Sequence, residues 1–352
     1  MPVFLALPQV RSTAEAVDRP ANTRLIDRYG RVAQDLRVSL TDRCNLRCTY
    51  CMPADGLTWA PTEALLTDQE LVRLITIAVG QLGVREVRFT GGEPLLRRGL
   101  EGIVASTARL SPRPDISLTT NGIGLVHRAK ELASAGLNRL NVSLDSVRRD
   151  TFTEITRRDR LDDVLSGLDA AKAAGLTPIK LNSVLMRGIN DDEGPGLLRF
   201  AIAEGYELRF IEQMPLDAQH SWDRDAMVGR DEILANLRVE FELAEAHSAL
   251  RGSAPAELWY VNGTTTTVGI IASVGAPFCG SCDRTRLTAD GQVRTCLFAT
   301  SETDLRGPLR GGASDEEIAK RWRDAMWGKA WGHGINDNGF QQPDRPMSAI
   351  GG

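Results

Sequence analysis

The sequence predicts an α/β protein built on a parallel sheet, and two observations carry that expectation. Short β-rich runs alternate with amphipathic helical segments across residues 36–211. Six strands alternating with five helices imply parallel strands joined by right-handed crossovers. The helical segments also carry start and stop signals. The strand candidates, in order, are 36–40, 86–90, 116–119, 139–144, 179–185 and 207–211, and the helical segments are 68–82, 97–110, 125–135, 161–174 and 193–204. Thr67 and Glu70 have the spacing of a capping box. Gly83, Gly136, Gly175 and Gly205 stand where a helix would end, because glycine enters the left-handed region at no steric cost. A doubly wound sheet and a partial or full βα barrel both satisfy this pattern.

After about residue 215 the rhythm changes. A helix at 231–238 is followed by β-rich stretches at 259–261, 265–271, 286–287 and 292–297, a helix started by Ser314 and Glu317, and a Gly-rich tail from Gly332 to Gly352. The expected organisation is a poorly ordered arm over 1–23, a core over 24–215, and an α+β extension over 216–352 that covers one end of the α/β unit. The N-terminal MPVFLALPQVRST lacks a basic region, and Pro8 ends its apolar run, so a leader tail on a cytoplasmic protein is expected rather than a signal peptide.

Composition excludes several classes. Among 352 residues, 42% are hydrophobic and 25% charged, which is ordinary for a folded domain and not for a disordered chain. The longest apolar runs, such as 71–79, are interrupted well short of the ~18 residues that a membrane span needs. A formal charge of −4 gives no support to nucleic-acid binding, and neither nucleic acid nor membrane is expected as a partner.

The six cysteines fall into two groups of three. Cys44, Cys48 and Cys51 form CxxxCxxC on the loop after the first strand, where βα barrels build their active sites. Three thiolates at this spacing can hold three irons of a [4Fe–4S] cube and leave the fourth open, as catalytic metal sites keep a position for substrate. A three-cysteine zinc knuckle is the bland alternative, but no histidine stands nearby as a fourth ligand. Cys279, Cys282 and Cys296 form CxxC-x13-C, again three ligands with no cysteine left over. Structural zinc, or a cluster completed by His or Asp, remains the alternative there.

Further candidates end the strands. Gly91-Gly92-Glu93-Pro94 closes the second, where glycines admit close backbone approach and a carboxylate can accept from an ammonium. Thr119-Thr120-Asn121-Gly122 and Ser143-Leu144-Asp145-Ser146 end the third and fourth; polar turn chemistry explains either alone. Arg284 and Arg286, one residue apart on a β-run, share a face, and beside a metal site such a pair suits phosphate or a planar polar ligand.

The CxxxCxYC motif resembles that of the radical S-adenosylmethionine (SAM) enzymes. With RFTGGEPLLR, FCGSCDRTRLTADGQVRTCLF and the terminal Gly351-Gly352, the chain from about residue 24 onward resembles the GTP 3′,8-cyclase family. The resemblance implies an incomplete (β/α)6 TIM-type barrel whose open side is covered by the C-terminal extension, and two [4Fe–4S] clusters. Cys44, Cys48 and Cys51 would hold the SAM-binding cluster, and Cys279, Cys282 and Cys296 the second, whose free iron binds guanine. Tyr50, Gly92, Glu93, Ser143 and Met214 would contact SAM. Arg37, Arg88, Thr119, Lys180, Arg284, Thr285 and Arg286 would contact GTP. Arg37, Arg284, Arg286, Gly351 and Gly352 would serve catalysis, with the glycine tail reaching into the site.

The implied reaction is the first step of molybdenum cofactor biosynthesis, in which a 5′-deoxyadenosyl radical takes H3′ from GTP and C3′ joins C8. The implied partners are GTP, a flavodoxin- or ferredoxin-type reductant, cyclic pyranopterin monophosphate synthase as the next enzyme, and a second copy in a homodimer. The sequence departs from the family pattern at Asp283, where Asn is common. Two other functions compete: a peptide-modifying maturase, which usually carries more C-terminal cysteines, and a non-catalytic iron–sulfur carrier, which would leave the SAM-type motifs unexplained.

Overall fold

Polar and apolar side chains alternate along the strands, and that alternation sets which surface faces the helices and which faces the interior. The structure is a computed structural model and describes residues 19–247 and 251–351. In β1 (Asp35–Ser39), Leu36 and Val38 are fully buried on the helix side, while Asp35, Arg37 and Ser39 take the other face. The same alternation recurs in β2 (Glu86–Thr90), β3 (Asp115–Thr120), β4 (Arg139–Ser143), β5 (Ile179–Ser183) and β6 (Glu207–Ile211). Val87, Phe89, Ile116, Leu118, Leu140, Val142, Leu181, Leu208 and Phe210 join one hydrophobic core between sheet and helices.

These six strands lie side by side in chain order, each parallel to the next. A doubly wound sheet would reverse its order at a switch point. The absence of a reversal selects the barrel-type alternative. The crossovers are α1 (Asp68–Gly80), α2 (Leu100–Ala108), α3 (Leu125–Ala135), α4 (Arg149–Thr156) with α5 (Leu161–Ala173), and α6 (Gly194–Glu204). Both arms of the expected capping box form: Glu70 N–H donates to Thr67 Oγ1 at 3.2 Å, and Thr67 N–H to Glu70 Oε2 at 2.7 Å. Helices α3 and α6 end at left-handed Gly136 and Gly205. Helix α4 was not expected from the sequence; its eight residues follow Asp145 closely and pack only Phe152, Ile155 and Thr156 inward.

The C-terminal region adds further strands to the sheet. After α7 (Arg230–Leu237) come β7 (Leu243–Glu245), β8 (Glu257–Val261), β9 (Thr267–Ile271), β10 (Arg284–Leu287), β11 (Gln292–Arg294) and β12 (Thr303–Asp304). Strand β10 pairs parallel with β1, and β9 pairs parallel with β6. The extension therefore lengthens the sheet at both edges, giving twelve strands in the order β12-β11-β10-β1-β2-β3-β4-β5-β6-β9-β8-β7. Backbone hydrogen bonding explains this: the edges of an open six-stranded sheet are unpaired, and the added strands satisfy them. The chain closes with α8 (Arg306–Arg310), α9 (Asp315–Trp327) and α10 (Met347–Ile350), the last a short turn inside the expected tail.

Of the expected arm, only residues 19–23 are described, and the start of the core follows directly. Arg19 pairs with Asp324 of α9 at 3.1 Å, and Leu25 is fully buried. Arg31 donates to the carbonyls of Cys279, Ala330 and Trp331, each at 2.6 Å. Residues 19–33 thus form a strap fastened to the C-terminal region. The first 18 positions of the expected arm lie outside the described residues. Among the described residues, no helix is long and apolar enough to cross a membrane.

Candidate active site

The inward faces of the strands line one cavity of about 2100 Å³, open solvent included. All six cysteines reach it, and none is in a disulfide. Cys44, Cys48 and Cys51 occupy the loop leaving the C-terminal end of β1. Leu46 N–H points at Cys44 Sγ (3.5 Å), and Asn121 bridges the loop to β3 by donating to Asn45 Oδ1 (2.7 Å). Burial pushes Cys44 up to about 11 and Cys51 up to about 12, and it raises Cys48 as well. Metal binding at such thiols must release protons. The site also demands glycine beside it. A Cβ on Gly92 would sit 2.3 Å from the Arg43 carbonyl, and one on Gly91 2.5 Å from that of Thr41.

The second trio lies on the short turn before β10 and just after β11. Burial raises Cys279, but at Cys282 burial is outweighed by the Lys329 ammonium and Arg284, and its thiol sits below the ordinary value. Among the described residues no three Cys, His or carboxylate groups are gathered for a single metal ion. A cube takes one thiolate per iron and needs its ligands spread. Two soft-donor trios in one cavity, one beside obligatory glycines and one beside a buried cation, fit two iron–sulfur clusters.

Five arginines line the same cavity: Arg37, Arg88, Arg209, Arg284 and Arg286. Register explains the convergence. Arg286, Arg37 and Arg88 are partners across β10, β1 and β2, so their side chains form one row at strand spacing. Arg209 of β6 belongs to a second row with Asn182 and Ser143, and its neighbour on β9 is Gly269, which leaves room for the side chain. Anions are few. Asp35 holds Arg37 Nη2 at 3.2 Å, while its Oδ1 has no partner. Burial would raise the Asp35 carboxyl, but Arg37, Arg88 and Arg284 outweigh it and hold it at about 2. Burial, then repulsion from Arg37, lowers Arg88 and Arg286 to about 9. Arg88 Nε is buried without a partner. Arg284 donates to the Ser253 carbonyl at 2.6 Å and lies over Phe278.

The expected SAM contacts divide. Tyr50, Gly92, Ser143 and Met214 line the cavity. Tyr50 donates to Asp145 Oδ2 at 2.8 Å, and burial raises the Asp145 carboxyl to about 6. Glu93 does not line it. The side chain is fully buried and accepts from Leu95 N–H (2.9 Å), the Thr120 hydroxyl (2.7 Å) and Asn121 N–H (2.7 Å). A carboxylate with three donors already in place holds the turn after β3 rather than a ligand's ammonium.

The expected GTP contacts also need two corrections. Thr119 lines the cavity beside Arg37, Arg88, Arg284 and Arg286. Thr285, between the two arginines of β10, necessarily points to the other face. It is fully buried and its hydroxyl accepts from Trp322 Nε1 at 3.0 Å. Lys180 does not line the cavity; its Nζ is held 2.8 Å from Glu207 on the neighbouring strand. Gly351 does not line the cavity; its carbonyl accepts from Arg286 Nη1, while Met347 and Ser348 just before it do line the cavity. Gly352 lies outside the described residues. Asp283 keeps a backbone role, since its carbonyl accepts from Gln34 and Asp35.

Four cavity or near-cavity residues were not singled out from the sequence. Arg209 and Asn182 have the inward parity of their predicted strands, a signal that was available. Glu212 accepts from the N–H groups of Arg230, Val274 and Gly275, and Lys329 contacts Cys282; both depend on contacts far apart in sequence.

Comparisons with known proteins agree with this geometry. The Radical SAM superfamily profile matches residues 38–201, and the Molybdenum Cofactor Synthesis C profile matches residues 206–335. The chain is 67% identical over 328 residues to the GTP 3′,8-cyclase of Streptomyces coelicolor, spanning 93% of this chain and 96% of that protein. Identity is 60% over 348 residues with the GTP 3′,8-cyclase of Mycobacterium sp. (strain KMS), 99% of each chain. Among solved structures, Streptococcus suis SuiB bound to S-adenosylmethionine superposes with a TM-score of 0.58 at 12% identity, covering 90% of this chain and 77% of that one. Native anSMEcpe with bound AdoMet gives a TM-score of 0.52 at 17% identity and 74% coverage of each. At these identities the two structures speak for the fold alone.

Proposed function

The chain belongs to the GTP 3′,8-cyclase family of radical SAM enzymes, and we propose that its cavity arginines take the triphosphate of GTP while the two cysteine trios serve the same bound substrate. The activity is conversion of GTP to (8S)-3′,8-cyclo-7,8-dihydroguanosine 5′-triphosphate, the first step of molybdenum cofactor biosynthesis. The observation that carries our assignment of residues is the charge imbalance: five arginines line one cavity, and among the described residues the ion pairs they make are two, Arg37 with Asp35 at 3.2 Å and Arg284 with Asp283 at 3.8 Å. A dense polyanion answers that imbalance through charge-assisted hydrogen bonds, which are about twice as strong as neutral ones.

Cys44, Cys48 and Cys51 would hold the cluster that serves SAM, and the two together would supply, with one electron, the deoxyadenosyl radical for removal of hydrogen from C3′ of the ribose. With that hydrogen taken and one electron and one proton returned, joining C3′ to C8 leaves a product isomeric with GTP. The chain's own part is placement. The Arg286–Arg37–Arg88 row fixes the phosphate end, so the ribose is held at one depth in the cavity. Thr119 and Ser143 offer hydroxyls on the wall between. Cys279, Cys282 and Cys296 would present a second cluster to the guanine ring. Phe298 and Met347 make part of the lining apolar and keep water from a reactive radical.

In the same reading the electron donor is a flavodoxin or ferredoxin, the product passes to cyclic pyranopterin monophosphate synthase, and the enzyme works as a homodimer in the cytoplasm. Six free thiols suit a reducing compartment. The test is anaerobic reconstitution with iron and sulfide, followed by SAM, dithionite and either GTP or ATP. The reading expects 5′-deoxyadenosine together with an isomer of GTP by mass spectrometry, and no isomer of ATP. Deoxyadenosine without any change in GTP would overturn the substrate.

A further inference from the structure

Lys329 is a buried ammonium with no carboxylate partner among the described residues. It follows α9, is 4% exposed, and donates three hydrogen bonds: to Arg284 O (2.9 Å), Cys282 O (3.4 Å) and Cys282 Sγ (3.3 Å). All three acceptors belong to the bend that carries Cys282 into β10. Of the chain's other four lysines, Lys130 is exposed and three are ion-paired. Lys172, Lys180 and Lys320 each meet a carboxylate, at 3.5, 2.8 and 3.0 Å. The basic residues are overwhelmingly arginine, so a lysine here stands out against the composition. A buried cation without a counter-charge is costly, and two neutral carbonyls do not supply one. The sulfur is the one acceptor of the three that becomes anionic when it binds iron.

We propose that Lys329 is a positioning residue of the second cluster: it orients Cys282 toward iron and, through a charged N–H···S contact, sets that cluster's reduction potential. This rests on the reading of Cys279, Cys282 and Cys296 as cluster ligands. Hydrogen bonds to the sulfurs and nearby charge are established levers on the potential of such clusters. Losing a positive charge beside the cluster makes taking up an electron harder, so the potential must fall.

The test is an anaerobic redox titration of the reconstituted full chain, followed by electron paramagnetic resonance, for wild type and Lys329→Met. Wild type must first hold two clusters' worth of iron and sulfide; if it holds only one, the functional reading fails, not this inference. The expected result is a more negative midpoint for one cluster in Lys329→Met, with the other cluster and SAM cleavage unchanged. Two clusters at wild-type potentials, or an equal shift in both, would overturn the proposal. If Lys329→Met loses the second cluster, Lys329→Arg decides: retained iron supports a role for the charge, and equal loss overturns it.

Discussion

Arg286 donates a hydrogen bond from Nη1 to the carbonyl oxygen of Gly351, 65 residues further along the chain. Three residues before that glycine, the backbone of Ser348 donates to Cys51. The short α10 therefore spans from the first cysteine trio to the arginine row, and the tail becomes part of the cavity wall. Gly351 has φ +86°, and a Cβ there would lie 2.8 Å from Thr90 Cγ2 and 3.0 Å from Ser39 Cβ. Both the backbone and the space require glycine.

Gly351→Val is expected to expel the tail without unfolding the barrel. Left-handed backbone costs a non-glycine residue roughly 1–2 kcal/mol, and the collision adds to that. Formation of the GTP isomer should fall by at least ~10-fold, since 1.4 kcal/mol corresponds to a factor of ten. Iron content and Tm should stay near wild type. Full activity in this variant would show that the contact with Arg286 is incidental.

Arg209→Ala is expected to raise KM for GTP by roughly 10- to 100-fold, as a lost charge-assisted hydrogen bond of about 1.5–3 kcal/mol predicts. Burial already lowers this guanidinium's pKa, so its charge is held at a cost that a phosphate would offset. SAM cleavage without GTP should not change. Steady-state kinetics over a GTP series checks both points, and an unchanged KM would remove Arg209 from the binding row.

Cys279→Ser separates the two trios. The variant should still cleave SAM, because Cys44, Cys48 and Cys51 are untouched, but it should form no GTP isomer. Quantifying deoxyadenosine and product in parallel tests this. Loss of both activities would mean that the trios do not work as separate clusters.

Glu93 gives a pH dependence whose sign can be worked out. Burial pushes its carboxyl from 4.5 up to about 7, against the N–H groups of Asn121 and Leu95 and the Thr120 hydroxyl, which favour the ionised form. The folded protein then keeps a proton that the unfolded chain has lost. Stability is full below pH 4.5 and falls as pH rises toward 7, by about 3 kcal/mol in total. Glu93→Gln is neutral throughout and removes that slope. The Tm difference, wild type minus variant, should shrink between pH 5 and 8 in thermal melts under nitrogen; a constant difference would contradict the raised carboxyl.

Much of this architecture was legible in the sequence because it rests on local periodicity. The six strands of the barrel were found within a residue or two at most ends, since alternation with period two is read residue by residue. The same rule could have gone further. Thr285 lies between Arg284 and Arg286 and so had to face away from them, and Arg209 shares the parity of the inward face of β6. At Thr285 the family resemblance and the strand parity point to opposite faces, and at Arg209 parity is the one local signal. Glu93 failed differently: its three donors come from Leu95, Thr120 and Asn121, and only folding brings the last two to it. The C-terminal strands at 259–261, 265–271, 286–287 and 292–297 were legible, but their pairing with the two edges of the sheet was out of reach for a related reason. Pairing between β10 and β1, some 250 residues apart, leaves no trace in local pattern.

The central claim is that this cavity places C3′ of GTP where the radical derived from SAM can take its hydrogen. The most direct measurement uses GTP carrying deuterium at C3′ and reads 5′-deoxyadenosine by mass spectrometry after anaerobic turnover. The account predicts deoxyadenosine heavier by one deuterium, formed together with a GTP isomer that has lost the label. Unlabelled deoxyadenosine beside a labelled product would contradict it.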